Sequence, residues 1–322
     1  MELKEIISPI EKELAVVKKR YAAELKAQSE PIKGIGKYIS NAHGKFFRPT
    51  LVLLSAKVGG NGNLDKVIPV GVSIELIHTA TLIHDDIIDE ATLRRNRKTT
   101  NSKWGNAISV IAGDYLLSKA FNIISKLNEP KILSIFSKTA RMMCEGEMTQ
   151  LSNAYNFEIC EDEYLDIIKK KSAYLISDCC AVGGVLGRTS KDKVSWLKAY
   201  GLNLGLAFQI VDDCLDLTGN EGRLGKPLWQ DMDKGKLTLP IIYLLKNANK
   251  KHRRRIVELI ALGGNTTHRI LKEEALNSGA IVRSKNVALH YIRLAKKKLG
   301  GCDRTLKKTF CGIADYVLER EN

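Results

Sequence analysis

Apolar residues recur at three- and four-residue spacing over long stretches of the chain: Leu3 to Lys26, Leu64 to Asp89, Ala107 to Leu127, Lys131 to Leu151 and Glu161 to Leu186. That spacing lays an apolar stripe along one face of a helix. Strict alternation, which would mark half-buried strands, is scarce. Turn-forming runs punctuate the pattern at Gly59-Gly60-Asn61-Gly62, Asn128-Glu129-Pro130, Gly219-Asn220-Glu221-Gly222 and Gly263-Gly264-Asn265. No Pro- or Ser-rich linker divides the chain, so residues 1–322 are expected to form a single all-helical domain. Gly183, Gly184 and Gly187 interrupt a helical pattern; they weaken the helix and allow a neighbour to pack closely.

Composition narrows the class. With 322 residues, 44% apolar and 27% charged, the chain can bury a large core without disulfide or metal staples. Uncharged apolar stretches stay below the ~18 residues of a membrane span, and the charged N-terminus lacks a signal-peptide core. The seven cysteines form no Cys-x-x-Cys pair, so reduced, mostly buried thiols and a cytoplasmic location are expected. The net charge is +15, and the segment Lys246 to Lys308 carries 17 Lys and Arg against 4 Asp and Glu. No zinc-finger or RNP-type motif accompanies that charge, so no nucleic acid is expected as a partner. A solvated basic face, or one that meets anionic membrane or substrates, fits it better.

The candidate chemistry lies in two acidic clusters, Asp85-Asp86-Ile87-Ile88-Asp89 and Asp212-Asp213-Cys214-Leu215-Asp216. On a helix, residues four apart differ by about 40° in direction, so Asp85 with Asp89 and Asp212 with Asp216 each share a face. Oxygen donors alone, without His or Cys, select a hard cation, and Mg²⁺ fits best. Apolar flanks (Leu82, Ile83 and Ile210, Val211 among them) argue against a merely solvated acidic face. Cations suited to phosphate oxygens surround the clusters: Lys45, Arg48, Arg94, Arg95, Lys171 and Lys226. His78, seven residues before Asp85, lies about 20° from it in helical phase.

In order, Gly44-Lys45-x-x-Arg48-Pro49, the run Glu75 to His84 into the first cluster, Leu93-Arg94-Arg95, Gly146-Glu147-Met148-Thr149-Gln150, Lys171-Ser172-Ala173, Phe208-Gln209 into the second cluster, and Gly235-Lys236-Leu237-Thr238-Leu239-Pro240 resemble the trans-isoprenyl diphosphate synthases. Within that family the likeness is to the long-chain, octaprenyl-like branch. The resemblance implies a bundle of mostly antiparallel helices around a deep central cavity, a homodimer, and Mg²⁺ as cofactor, about three ions with substrate bound. It implies head-to-tail condensation of isopentenyl diphosphate with an allylic diphosphate such as the farnesyl ester. By resemblance, Asp85, Asp89 and Asp212 bind metal, with Asp86, Asp213 and Asp216 in support. Arg94, Lys171, Lys236 and Lys226 hold the allylic diphosphate. Lys45, Arg48, His78 and Arg95 hold isopentenyl diphosphate, and Ser172 and Gln209 lie beside the reacting carbon. Three positions depart from the family pattern: Phe46 stands where an arginine is usual, Asn96 where glycine is, and Ser172 where threonine is. Asn96 still suits a left-handed turn.

Product length in such enzymes depends on the depth of the cavity below the first cluster. Ala80 and Thr81, one turn deeper than Asp85, are small and leave a shaft open, which points to products of about C30–C40 for uses such as quinone side chains. Phe136, eleven residues before Glu147, is a candidate floor about 16 Å lower. Rival readings are a short-chain farnesyl or geranylgeranyl diphosphate synthase, a terpene cyclase, and a noncatalytic subunit of a heteromeric synthase. A cyclase would carry a different second motif. A noncatalytic subunit would lose a cluster, and both clusters are whole here.

Overall fold

A computed structural model describes residues 3–27, 30–41, 44–60, 64–219 and 228–320. Two short turns, Leu3–Ile6 and Ser8–Ile10, precede α1 (Glu11–Glu24), so the first expected helix breaks beside Pro9, which opens the second turn. Next come α2 (Ile32–Ser40), α3 (Phe47–Lys57) and α4 (Leu64–Ile88). A two-residue hairpin, β1 (Leu93–Arg94) and β2 (Arg97–Lys98), pairs Leu93 with Lys98 and Arg94 with Arg97, and is the one sheet among the described residues. After a short turn, Thr100–Trp104, follow α5 (Asn106–Ser125) and α6 (Pro130–Ser152). The stretch expected as one helix from 161 to 186 is α7 (Glu161–Ile168), a wide π-helical turn (Lys169–Ala173) and α8 (Tyr174–Leu186). Then α9 (Lys191–Thr218), a short turn (Gln230–Asp233), α10 (Leu239–Asn247), α11 (Lys250–Leu262), α12 (Asn265–Asn277), α13 (Ala280–Lys297) and α14 (Arg304–Glu319) complete the chain.

The core forms where α8 packs along α9 and α3, α4 along α5, and α9 along α13. α8 is apolar on nearly every side, with Leu175, Ile176, Cys179, Cys180 and Val182 all at 1% exposure or less, as a helix surrounded by others must be. The glycines within it explain its closeness to α3. A Cβ on Gly183 would lie 2.3 Å from the Val52 carbonyl oxygen, so only hydrogen fits there. α4 is similarly enclosed, and its C-terminal turn carries the first acidic cluster.

Two helices, α4 and α5, are long and apolar enough by length and composition to cross a membrane, although Glu75 interrupts the one and Asp114 and Lys119 the other. Of the most apolar window of α4, 67% is buried in the bundle, against 33% for α5. The seven cysteines are all free, but only Cys179, Cys180 and Cys214 are fully buried; Cys144 and Cys160 are exposed.

Candidate active site

The end of α4 and the hairpin after it build one half of the site. The Asp89 amide donates to the Asp85 carbonyl at 2.7 Å, so the helical register continues through both aspartates. Arg95 (φ +52°) and Asn96 (φ +59°) form the two-residue hairpin loop. Two successive left-handed residues make the turn whose twist matches paired strands, as Asn96 was expected to permit. The hairpin sends Arg94 back to α4, where its Nε donates to Asp86 Oδ1 at 2.7 Å.

A cavity of about 110 Å³ opens between this hairpin and α1–α4, lined by Tyr38, Phe46, Glu75, His78, Arg94 and Arg95 among others. Arg48 lies close enough to Glu75 and His78 to act on their ionisation, and Arg95 lies close enough to act on that of Arg48. Its Nε is buried with no hydrogen-bond partner among the described residues, leaving a donor for an anion. Burial pushes His78 well below the usual imidazole range, and Arg48, Arg95 and Arg94 push it further. The ring is therefore neutral at pH 7. Burial raises Glu75 to about 7 although Arg48, Arg95 and Lys18 oppose the rise. Phe46 meets the Tyr21 ring edge-on at 5.4 Å, so the position where the family carries an arginine is filled by an aromatic contact. Lys45 is exposed, with its ammonium 5.7 Å from the Tyr316 ring centroid.

The other half is built around the π turn, which sits between α6 and α9. Added Cβ atoms would lie 2.7 Å from the Lys171 amide nitrogen at Gly146, and 2.6 Å from the Ala173 Cα at Gly205. These two glycines let the turn press between the helices. Lys171 consequently reaches α6, pairing with Glu147 and donating to Gln150 Oε1 at 2.8 Å. Against the pull of burial, Glu147 and Asp85 raise the Lys171 pKa above its ordinary range. Ser172 Oγ donates to Gln209 Oε1 at 2.7 Å, and Gln209 Nε2 donates to Asp213 Oδ1 at 2.8 Å. Lys236, 3% exposed, reaches Asp89 Oδ1 at 2.7 Å and Glu147 Oε1 at 3.4 Å, joining the two halves.

The six aspartates differ in their surroundings. Asp89 meets Lys236, Asp212 meets Arg320, and Asp85 lies near Lys171 and Glu147, whereas Asp86 lines the cavity beside the hairpin. Asp86 is buried against Arg94. Asp213, 4% exposed, accepts from Tyr164 and Gln209, and Asp216 is 2% exposed. These contacts accord with the supporting place that the resemblance implies for Asp86, Asp213 and Asp216. Among the described residues no three acidic, His or Cys side chains converge as a metal-binding group. Cations neutralise the carboxylates instead: Lys236 on Asp89, and Arg320 on Asp212 at 3.3 Å.

The donor chemistry of Asp85, Asp89 and Asp212 nonetheless fits Mg²⁺. Burial raises Asp85 to about 6, and Glu147 and Asp89 press the same way while Lys171 opposes. A hard divalent cation relieves that crowding of oxygen donors. Lys226 lies outside the described residues.

Thr81 is half-buried, and its hydroxyl donates to the His78 carbonyl at 2.8 Å. Ala80 is 1% exposed and about 40° in phase from His84, whose ring lies against Gly113 of α5. Phe136, also 1% exposed, lies on the same unbroken α6 as Glu147, as its assignment as a floor requires. The cavity described above is lined by none of these three.

Four contributors went unassigned in the sequence. Glu75 and Glu147 stood inside quoted motifs without a role. Tyr164 lies seven residues before Lys171, a spacing that returns a helix to nearly the same face, so a signal existed. Arg320, at the end of α14, belongs to no motif.

An all-helical bundle with acidic helix ends facing clustered Lys and Arg defines a protein that handles diphosphate esters. The sequence profile of the Polyprenyl synthetase family matches residues 29–278. The chain belongs to that family, and is a prenyltransferase. It is 33% identical over 325 residues to heptaprenyl diphosphate synthase component 2 of Bacillus subtilis, covering 100% of this chain and 92% of the relative. It is 35% identical to a geranylgeranyl diphosphate synthase of Methanosarcina mazei, covering 91% and 90%. The crystal structure of a polyprenyl synthase from Caulobacter crescentus complexed with calcium and isoprenyl diphosphate superposes with a TM-score of 0.95. Its sequence is 30% identical, and the match covers 100% of this chain and 98% of that one.

Proposed function

We propose that this chain is an all-trans polyprenyl diphosphate synthase that extends an allylic diphosphate, such as farnesyl diphosphate, with isopentenyl units to about C30–C40. The observation that carries the length is the pair of small residues, Ala80 and Thr81, one turn below Asp85 on α4. An aromatic side chain there would close the path along the helix. Asp85, Asp89 and Asp212 would hold Mg²⁺, which neutralises the diphosphate as it leaves.

Lys171, Lys236 and Arg94 bind the allylic diphosphate, and the first two already share Glu147. On its arrival they exchange carboxylate partners for phosphate oxygens. Arg48, Arg95, Lys45 and neutral His78 bind and orient isopentenyl diphosphate around the cavity beside α4. Breaking the allylic C–O bond leaves a carbocation, which the isopentenyl double bond attacks. The released diphosphate then accepts the proton that restores a double bond. Ser172 and Gln209 sit beside the cation, and the buried surroundings exclude the water that would quench it.

The exposed apolar residues Ile108, Val110 and Ile111 on α5, at 36%, 41% and 62%, support a homodimer. The basic segment runs from the last turn of α10 to α14, and Arg253 is tied to Glu158 at 2.9 Å and the Phe157 carbonyl at 2.7 Å. Peripheral contact with anionic membrane would therefore rest on the exposed lysines and arginines outside that pair. Glutamate replacement of Arg254 and Arg255 should weaken binding to anionic liposomes; equal binding rejects that contact.

Incubating purified protein with Mg²⁺, farnesyl diphosphate and labelled isopentenyl diphosphate tests the function. A ladder ending at about C30–C40 supports it. A stop at about C20 keeps the chemistry and rejects the length, and no elongation with any primer rejects a self-sufficient synthase.

A further inference from the structure

Tyr164 lies on α7, outside every motif assigned above, and is buried to 2% exposure. Its hydroxyl donates to Asp213 Oδ2 at 2.6 Å. The other oxygen, Oδ1, accepts from Gln209 Nε2 at 2.8 Å, and Gln209 Oε1 accepts from Ser172 Oγ at 2.7 Å. The four groups therefore make one directional chain running from α7 through α9 and back to the π turn. Tyr164 and Gln209 each donate to Asp213, so both of its oxygens act as acceptors, and these two bonds oppose the burial and the Asp231 charge that push its carboxyl up to about 8; an amide has one donor end and one acceptor end. With its NH₂ committed to Asp213, Gln209 can present only its carbonyl to Ser172. Ser172 must then donate, and its lone pairs are left facing away from Gln209.

We propose that Tyr164 is a positioning residue: by fixing Asp213 as a two-sided acceptor it sets the direction of the Gln209 amide, and through it keeps the Ser172 oxygen, not its proton, toward the allylic carbon. This rests on the reading of Ser172 and Gln209 as the pair beside that carbon. An oxygen lone pair stabilises a developing carbocation, whereas an O–H turned toward it opposes the charge. Without the tyrosine hydroxyl, Asp213 Oδ2 is buried and unsatisfied, the carboxylate rotates, and Gln209 is free to turn over. Asp213 thus acts as a hydrogen-bond node and not as a metal ligand.

Two variants separate this role from a structural one. Tyr164→Phe should lower kcat about tenfold, the effect of one hydrogen bond to a charged group. The KM for both diphosphates and the half-saturating Mg²⁺ should stay within about twofold. Asp213→Asn preserves shape and can satisfy every bond with Gln209 reversed, so it should remain folded and lose kcat at least as far. In a Ser172→Ala background, Tyr164→Phe should change kcat by less than about twofold.

Several results overturn the proposal: unchanged kcat in Asp213→Asn, the full Tyr164→Phe loss persisting without Ser172, or a large shift in Mg²⁺ dependence with kcat kept. Wild-type protein that elongates normally beside unchanged variants rejects this inference alone. Wild-type protein that does not elongate rejects the functional reading as well.

Discussion

Replacing Glu75 by Gln isolates the electrostatics of the basic cavity. Glu75 is 7% exposed on α4, and burial raises its carboxyl from 4.5 to about 7 even though Arg48, Arg95 and Lys18 favour its charge. A carboxyl whose folded pKa lies above its unfolded one prefers to be protonated in the fold. Its stabilising contribution is therefore present at low pH, and is lost as pH rises from about 4.5 through about 7. The size follows from the shift at 1.36 kcal/mol per pH unit, giving roughly 3 kcal/mol lost by pH 8. Glu75→Gln cannot ionise and should escape that loss. Thermal or urea unfolding of both proteins from pH 4.5 to 8 checks it, because other titrations cancel in the difference. The two should be closest in stability near pH 4.5, with the variant gaining on the wild type by up to roughly 3 kcal/mol toward pH 8. A pH-independent difference, or one that grows toward acid, would refute the claim that an uncompensated carboxyl lies among these arginines.

Asp85→Asn and Asp212→Asn should each reduce condensation by more than about a thousandfold with melting temperatures retained, and chelation of the wild type should abolish activity until Mg²⁺ is restored. Arg320→Gln removes the cation beside Asp212, 3.3 Å away, so the half-saturating Mg²⁺ should fall; a titration of rate against Mg²⁺ measures it. Ala80→Phe should stop the ladder at about C15–C20, and an unchanged ladder by chromatography would remove the shaft. Phe136→Ala should lengthen products and, because the ring is 1% exposed, cost about 3–5 kcal/mol in denaturant unfolding.

What was legible in the sequence follows from how local each cause is. Helical spacing and turn-forming glycines are local, so α4, α5 and α6 lie close to where the pattern puts them. The departures arise from contacts between distant segments. The π turn at Lys169–Ala173 was hidden because its apolar spacing reads as one helix; what widens it is the pressure of Gly146 and Gly205 from two other helices. The hairpin was hidden by its shortness, although its left-handed Asn96 could be anticipated from residue type. At the site, charge complementarity picked out residues that the fold brings together, but not their pairing. Spacing alone made all six aspartates equivalent. Only packing distinguishes Asp89, which meets Lys236 from 147 positions away, from Asp213, which is satisfied by Tyr164 from 49. Each acidic cluster therefore supplies residues of both kinds. Some meet the lysines and arginines of other segments, while others, such as Asp86 and Asp213, are bonded to Arg94 and to Gln209 and Tyr164.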